Sequence, residues 1–204
     1  MTVTNIDAVT KTRYKVYVDE QFAFVLYKGE LSRYHVAVGE EIPEEIYKEI
    51  YQEVIVKRAK LRALHLLNDM GRTEAQLRQK LKQSDYTEEV IEEAIRYVKS
   101  FGYVNDAEYA RNFIINRKEK KSRKELYLLL VQKGLNAELL DQVFEESYDD
   151  NSSIEAIEAI MKKKRYNPET ATNAETQKIL AYLTRKGFQY EDIRQVLQVS
   201  NRNA

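Results

Sequence analysis

Catalysis would have to start from histidines, carboxylates or hydroxyls, and in this sequence they do not assemble. His35 falls in a β-rich stretch and His65 on a helix face, and neither has a partner at metal-ligand spacing such as H-x-x-x-H. No P-loop, G-x-G-x-x-G, G-x-S-x-G or zinc signature is present. Cysteine is absent, which removes disulfides and thiolate metal sites. The many acidic residues have the spacing of solvated helix faces. An enzyme is therefore the least supported class, and neither a cofactor nor a metal is expected.

The chemistry that does concentrate is cationic. Arg117-Lys118-Glu119-Lys120-Lys121-Ser122-Arg123-Lys124 straddles a helix–helix turn, and Lys162-Lys163-Lys164-Arg165 sits at the corresponding turn of a later repeat. Arg72 and Arg78 lie near that turn in an earlier one, and Lys57-Arg58-Ala59-Lys60-Leu61-Arg62 is a dense stretch on a helix. Together with Arg111 these are the candidate binding residues. Equivalent turns brought to one side of a stack would form a basic stripe able to follow a phosphate backbone or an acidic protein surface. The plainer reading is that the same lysines solubilise exposed turns and pair with nearby glutamates. With 33 basic and 33 acidic residues, the chain has no net charge, which argues against holding DNA by global attraction alone. Tyr14, Tyr17, Tyr27 and Tyr34 are able to stack on bases, although such residues more commonly cover a small sheet. Tyr97, Phe101, Tyr103, Tyr109 and Phe113 have the look of packing between repeats.

The elements that must carry these charges recur. A cap residue, two leucine-type residues four apart, a turn and a second apolar pair read as Thr73, Leu77, Leu81, Tyr86, Val90, Ile91. They read again as Ser122, Leu126, Leu130, Leu135, Leu139, Leu140, and more loosely as Ile179, Leu183, Phe188, Ile193 with Glu175 at the cap position. The second and third copies share a Lys-Gly turn, Lys133-Gly134 and Lys186-Gly187. Units of about 45–55 residues that cannot bury their own apolar face must stack on their neighbours. The fold class expected is mainly α: three tandem three-helix repeats forming an elongated array, preceded by a small antiparallel β-rich segment. The domain plan is a β-rich segment over 1–42, a linking helix with repeat one over 43–106, repeat two over 107–150 and repeat three over 151–204.

Within this plan, alternation predicts strands at Arg13–Val18, Phe22–Tyr27 and Ser32–Val38, a meander too small to stand without a helix. Pro43, Glu44 and Glu45 suit a helix start, after which Ile46, Ile50, Val54 and Leu61 share one helical stripe and Gly71 stops it. Capping boxes start helices at Thr73 and Ser122. Helices are expected over 107–117, 123–132, 137–147, 154–164, 173–185 and 190–199, with 149–153 as a polar joint and frayed residues at the end. Charged residues make up 32% of the 204, a load that suits a protein with much helix surface. Met1–Thr12 has no apolar run of a signal peptide, and no stretch approaches the ~20 apolar residues of a membrane span, so the expected location is cytoplasmic, away from membranes.

One segment resembles a known family. Phe101-Gly102-Tyr103-Val104-Asn105-Asp106-Ala107-Glu108-Tyr109-Ala110-Arg111 is similar to the central motif of the RecX recombination regulators, roughly G-Y-[LIV]-[DN]-D-x-x-[FY]-A-x. Ser122-Arg123-Lys124-Glu125-Leu126 and the turn Lys133-Gly134-Leu135 resemble the stretch that follows it in that family. The likeness covers about residues 58–200, and the β-rich start resembles that of the longer members. Lys121 stands where several relatives carry glycine, and Asn105 replaces a common aspartate, with no change in helix pattern. The resemblance implies three tandem three-helix repeats. It also implies a regulatory protein that binds the RecA recombinase, in its nucleoprotein filament and free. Such a protein inhibits recombinase, ATPase and strand-exchange activity in DNA repair, homologous recombination and the SOS response. Members of the family lie along the filament groove, touch protein and DNA, and have no known catalytic chemistry. A monomer with RecA as partner, and single- or double-stranded DNA as a further one, is the expectation. A stand-alone nucleic-acid-binding helical repeat protein is the alternative.

Overall fold

The structure, a computed structural model, describes residues 1–200, without the side chains of Asp150 and of 198–200. The frayed end expected for the last residues lies largely outside them. The chain divides into two compact units, Met1–Asn105 and Asp106–Ala204.

The first unit begins with an antiparallel sheet of β1 (Val3–Ala8), β2 (Arg13–Val18) and β3 (Gln21–Tyr27), in that order. Ile6 faces Val16, and Val16 faces Phe24, so one face collects the apolar side chains. Asp19 and Glu20 make the β2–β3 turn with φ of 48° and 66°, the left-handed pair of a tight hairpin. The outer edge of β1 is covered by the chain at 39–42: Gly39 N–H donates to Val3 O at 2.8 Å, and Ile42 N–H donates to Met1 O at 2.8 Å.

The third strand is therefore the N-terminal one and not Ser32–Val38, which corrects the sequence expectation. Residues 28–33 instead form the short helix α1 (Lys28–Arg33). The Glu30 carboxylate accepts from Tyr27 N–H at 2.7 Å, and at the other end His35 takes φ 53° while Val36 N–H returns to Leu31 O at 2.9 Å. Local caps thus outweigh the alternation of this stretch.

From Pro43 the chain stays helical through α2 (Glu44–Glu49), a π-helical stretch (Ile50–Val56) and α3 (Lys57–Asp69). The π stretch changes which face is buried. An i→i+5 bond inserts one residue into the stripe. Ile46, Ile50 and Val54 do face inward in part or whole, but Leu61 is 58% exposed, and the buried line continues through Ile55, Ala59, Ala63 and Leu66. α4 (Glu74–Lys82) and α5 (Glu88–Ser100) complete the unit, burying Leu77 and Leu81, then Val90, Ile91, Ala94, Ile95 and Val98. Sheet, long helix and these two helices share one apolar core that includes Val16, Phe24, Leu26, Ile50, Leu77 and Ile95.

The second unit holds α6 (Asp106–Ile115), α7 (Arg123–Gln132) and α8 (Ala137–Ser147), then α9 (Asp150–Lys163), α10 (Asn173–Arg185) and α11 (Tyr190–Ser200). Each triplet has its own apolar cluster, the first around Leu126, Leu130, Leu140 and Phe144, the second around Ile157, Leu183, Phe188 and Ile193. α9 starts earlier than the polar run Asp149–Ser153 implied. Asp149 caps it, its Oδ1 accepting from Ser152 N–H at 2.8 Å and from the Ser152 hydroxyl at 2.7 Å, so the expected joint is the first helical turn.

The middle helices show the repeat in three dimensions. Thr73, Ser122 and Thr172 cap them, each side-chain oxygen accepting from the N–H three residues on, at 3.2, 3.1 and 3.3 Å. In the third copy the cap is Thr172, not Glu175. Glu175 is its capping-box partner, receiving Thr172 N–H at 2.8 Å, and this helix begins nearly a turn earlier than its counterparts. Counting from Thr73, Ser122 and Glu175, the same position after each helix has positive φ: Asp85 at 63°, Gly134 at 87° and Gly187 at 88°.

Candidate interaction surface

The candidate cations fall into two kinds. In the first unit most are engaged by the fold. Arg58 leaves α3 toward the sheet, donates to Val25 O at 3.1 Å, pairs with Glu30 and stacks its guanidinium over the Tyr27 ring at 4.7 Å. Arg72 donates to Leu66 O at 3.0 Å and so caps the C-terminal end of α3. Arg78 is held by Glu74 at 2.8 Å and Glu92 at 2.5 Å, with Glu88 at 3.6 Å. The Glu92 hydrogen bond, against some desolvation, raises the Arg78 guanidinium above its ordinary value. Burial disfavours the charged form of Glu74, yet hydrogen bonds from Lys99 and Arg78 hold its carboxyl below the usual range. Lys60 sits over the Tyr97 ring at 5.3 Å. Lys57 and Arg62 are exposed.

Asp85 shows how far this internal use goes. The second and third repeats have glycine at its position, whereas Asp85 reaches the sheet, 2.8 Å from Lys15 and 3.6 Å from Arg13. The two histidines, His35 and His65, are both exposed, and among the described residues no cluster of His, Asp and Glu has the geometry to hold a metal ion.

In the second unit some candidates are likewise paired. Arg111 meets Glu146 at 2.7 Å, Lys118 meets Asp149 at 3.7 Å, and Lys121 pairs with Glu125 one helical turn away. Arg117 lies over Phe113 at 4.1 Å and Arg123 over Phe144 at 5.3 Å. Lys120, Lys124, Lys162, Lys163, Lys164 and Arg165 are exposed, and no carboxylate lies within 4.0 Å of them among the described residues. The last four occupy the C-terminal end of α9, where cations also offset the helix dipole.

Two clusters some forty positions apart in sequence then converge. Lys120 and Lys121, from the turn before α7, and Lys163 and Lys164, from the end of α9, line one groove of about 650 Å³ with Lys186, Glu125, Ala159, Ile160 and Tyr182. An adjoining groove of about 430 Å³ shares Lys164 and Tyr182 and adds Arg165, Lys178 and Arg185. Lys164 lies over the Tyr182 ring at 4.0 Å. The contact that sets this is the Ser122 hydroxyl. It caps α7 and also donates to Lys186 O at 2.6 Å. Gly187 follows with the closest approach: a Cβ there would sit 3.0 Å from Lys124 Cβ. Arg117, Arg123, Lys124 and Lys162 do not line the groove.

Lys186, Lys178, Arg185 and Tyr182 were not among the candidates read from sequence. Lys186 did carry a signal, as the lysine of the repeated Lys-Gly turn. Phe101 and Tyr103, at the end of the first unit, stack on each other at 5.8 Å and are exposed, with Tyr97 edge-on to Phe101 at 5.1 Å.

Comparison with known proteins extends across the chain. Residues 59–97 match the family model described as RecX, first three-helix domain, and residues 152–197 match RecX, third three-helix domain. Regulatory protein RecX of Caldanaerobacter subterraneus subsp. tengcongensis is 32% identical over 202 residues, 98% of this chain and 100% of that protein. Regulatory protein RecX of Clostridium acetobutylicum is 27% identical over 203 residues, covering 97% of this chain and 95% of its own. A crystal structure of regulatory protein RecX superposes with a TM-score of 0.63 at 25% identity, covering 96% of this chain and 98% of that one. The RecX of Lactobacillus salivarius superposes with a TM-score of 0.62 at 25% identity over 72% of this chain and 96% of its own.

Proposed function

Since the chain belongs to the RecX family of regulatory proteins, we propose that it binds the RecA recombinase in its nucleoprotein filament and restrains ATP hydrolysis and strand exchange there. The observation that carries this reading is the likeness to a regulator that it matches over the whole of that protein and 98% of this chain. The cations without carboxylate partners in the second unit support it, because they are available to an acidic filament surface or to phosphates. In this reading the three helical repeats, over 43–106, 107–150 and 151–204, space a set of weak contacts along successive protomers. Such contacts add through effective concentration. Bridging protomers opposes the motions that accompany nucleotide turnover, or blocks entry of duplex DNA.

The test is RecA-driven ATP hydrolysis on single-stranded DNA, titrated with this protein. The wild-type chain should inhibit, and a folded variant with Lys120, Lys121, Arg123 and Lys124 reversed to glutamate should inhibit at least about tenfold less well, as loss of complementary charge dictates. Unchanged hydrolysis on adding the wild type removes the reading. A gel shift with DNA alone separates it from direct nucleic-acid binding, which would show steep salt dependence without RecA.

A further inference from the structure

The lysine groove of the second unit differs from a phosphate track in three respects. Its floor is apolar, formed by exposed Ala159, half-buried Ile160 and the half-buried ring of Tyr182. Its aromatic group is already engaged, since the Lys164 ammonium stands 4.0 Å from the Tyr182 centroid. A single strand stacks its bases on an open ring face, and a base on this face of Tyr182 has to displace the ammonium first. The walls, finally, hold lysines and no arginine among the residues that line it, so the planar fork that grips phosphate bidentately is missing.

The charges within the groove are also unevenly used. Glu125 is the one acidic group among the described residues that line it, and it is engaged by Lys121 and by Lys186 at 3.6 Å. Lys120, Lys163 and Lys164 line the apolar floor with no carboxylate within 4.0 Å among the described residues. A volume of about 650 Å³ is sized for several side chains of a partner. An apolar floor between ammonium groups complements an amphipathic segment with carboxylates flanking its apolar stripe, the helix-in-groove mode of recognition.

We propose that this groove docks an acidic amphipathic segment of a partner protein, with its apolar side chains on Ala159, Ile160 and Tyr182 and its carboxylates on Lys120, Lys163 and Lys164. The inference rests on the regulator reading only in taking the partner to be a protein. Both apolar fit and charge contribute, so removing either weakens docking.

Fluorescence anisotropy with three labelled probes tests it on the full chain. The probes are a helical peptide with leucines on one stripe flanked by glutamates, the same peptide with serine for leucine, and a dT oligonucleotide. The leucine peptide should bind at least about tenfold tighter than the serine peptide, and K163E/K164E should weaken it by about tenfold while circular dichroism stays unchanged. Equal binding of the two peptides overturns the proposal. So does an oligonucleotide that outcompetes the leucine peptide and is lost in K163E/K164E, which would make the groove a nucleic-acid site. Peptide binding without any effect on RecA ATP hydrolysis overturns the regulator reading and leaves the docking groove standing.

Discussion

Arg78 and Lys163 are both basic residues in repeats of one design, yet they do opposite work. Arg78 lies among three glutamates of α4 and α5 and joins the two helices. Lys163, at the end of α9, has no carboxylate within 4.0 Å among the described residues and lines a groove. The N-terminal unit engages most of its candidate cations, with Arg58 tying α3 to the sheet and Arg72 closing α3. The C-terminal unit leaves a block of them without a counter-charge among the described residues. Charge density along a sequence therefore does not identify a binding surface; what matters is whether the fold has already supplied the counter-charge.

The sharpest way to break that contrast is mutational. Removing Arg58 or Arg78 as alanine takes away at least two charge-assisted hydrogen bonds in each case, while Tyr27 N–H still serves Glu30 and Lys99 still serves Glu74, and should lower unfolding free energy by about 2 kcal/mol. Lys163→Ala should stay within about 0.5 kcal/mol, as for a surface residue without structural contacts. Urea unfolding of the three variants measures this, and equal losses would erase the distinction.

A smaller effect tests how the groove is built. Gly187→Ala must hold φ at 88° and place a methyl group against Lys124 Cβ. The cost should be about 1–2 kcal/mol from the left-handed backbone, with repacking of the Ser122–Lys186 contact in addition. Hydrogen exchange should show the loss at α7 and α10 while β1–β3 keep their protection.

The smallest is a pH effect. The Glu74 carboxyl is lower in the folded chain than in the unfolded one. Its contribution is therefore fully present above the ordinary carboxylate value of about 4.5 and is lost as pH falls through the depressed folded value. Melting temperature should fall less steeply below that pH in Glu74→Gln than in the wild type. Identical acid profiles would mean that Arg78 and Lys99 add nothing there.

The local grammar of the chain was legible because it is written within one or two turns. Thr73, Ser122 and Asn136 announce helix starts, the i, i+4 pairs Leu77/Leu81 and Leu126/Leu130 announce buried stripes, and Gly134 and Gly187 announce stops. Two misreadings came from equally local signals that compete. Ser32–Val38 alternates like a strand but is captured by caps at Glu30 and His35. Asp149–Ser153 is polar like a loop but serves as a capped first turn. The π stretch at 50–56 has no cap or turn residue to mark it, so the shift of the buried face from Leu61 to Ala63 could not be read.

The sequence by itself determined that helices recur in threes, where their apolar stripes lie and which turns carry lysine. Those properties depend on backbone propensity, side-chain period and capping within a few residues. Only the tertiary structure decided which cations are neutralised and which are free. The partners of Arg58 at Val25 and Glu30, of Arg78 at Glu92, and of Ser122 at Lys186 lie 33, 28, 14 and 64 positions away. Electrostatic pairing acts through space at a few ångströms, and those separations close only when the cores of the repeats pack.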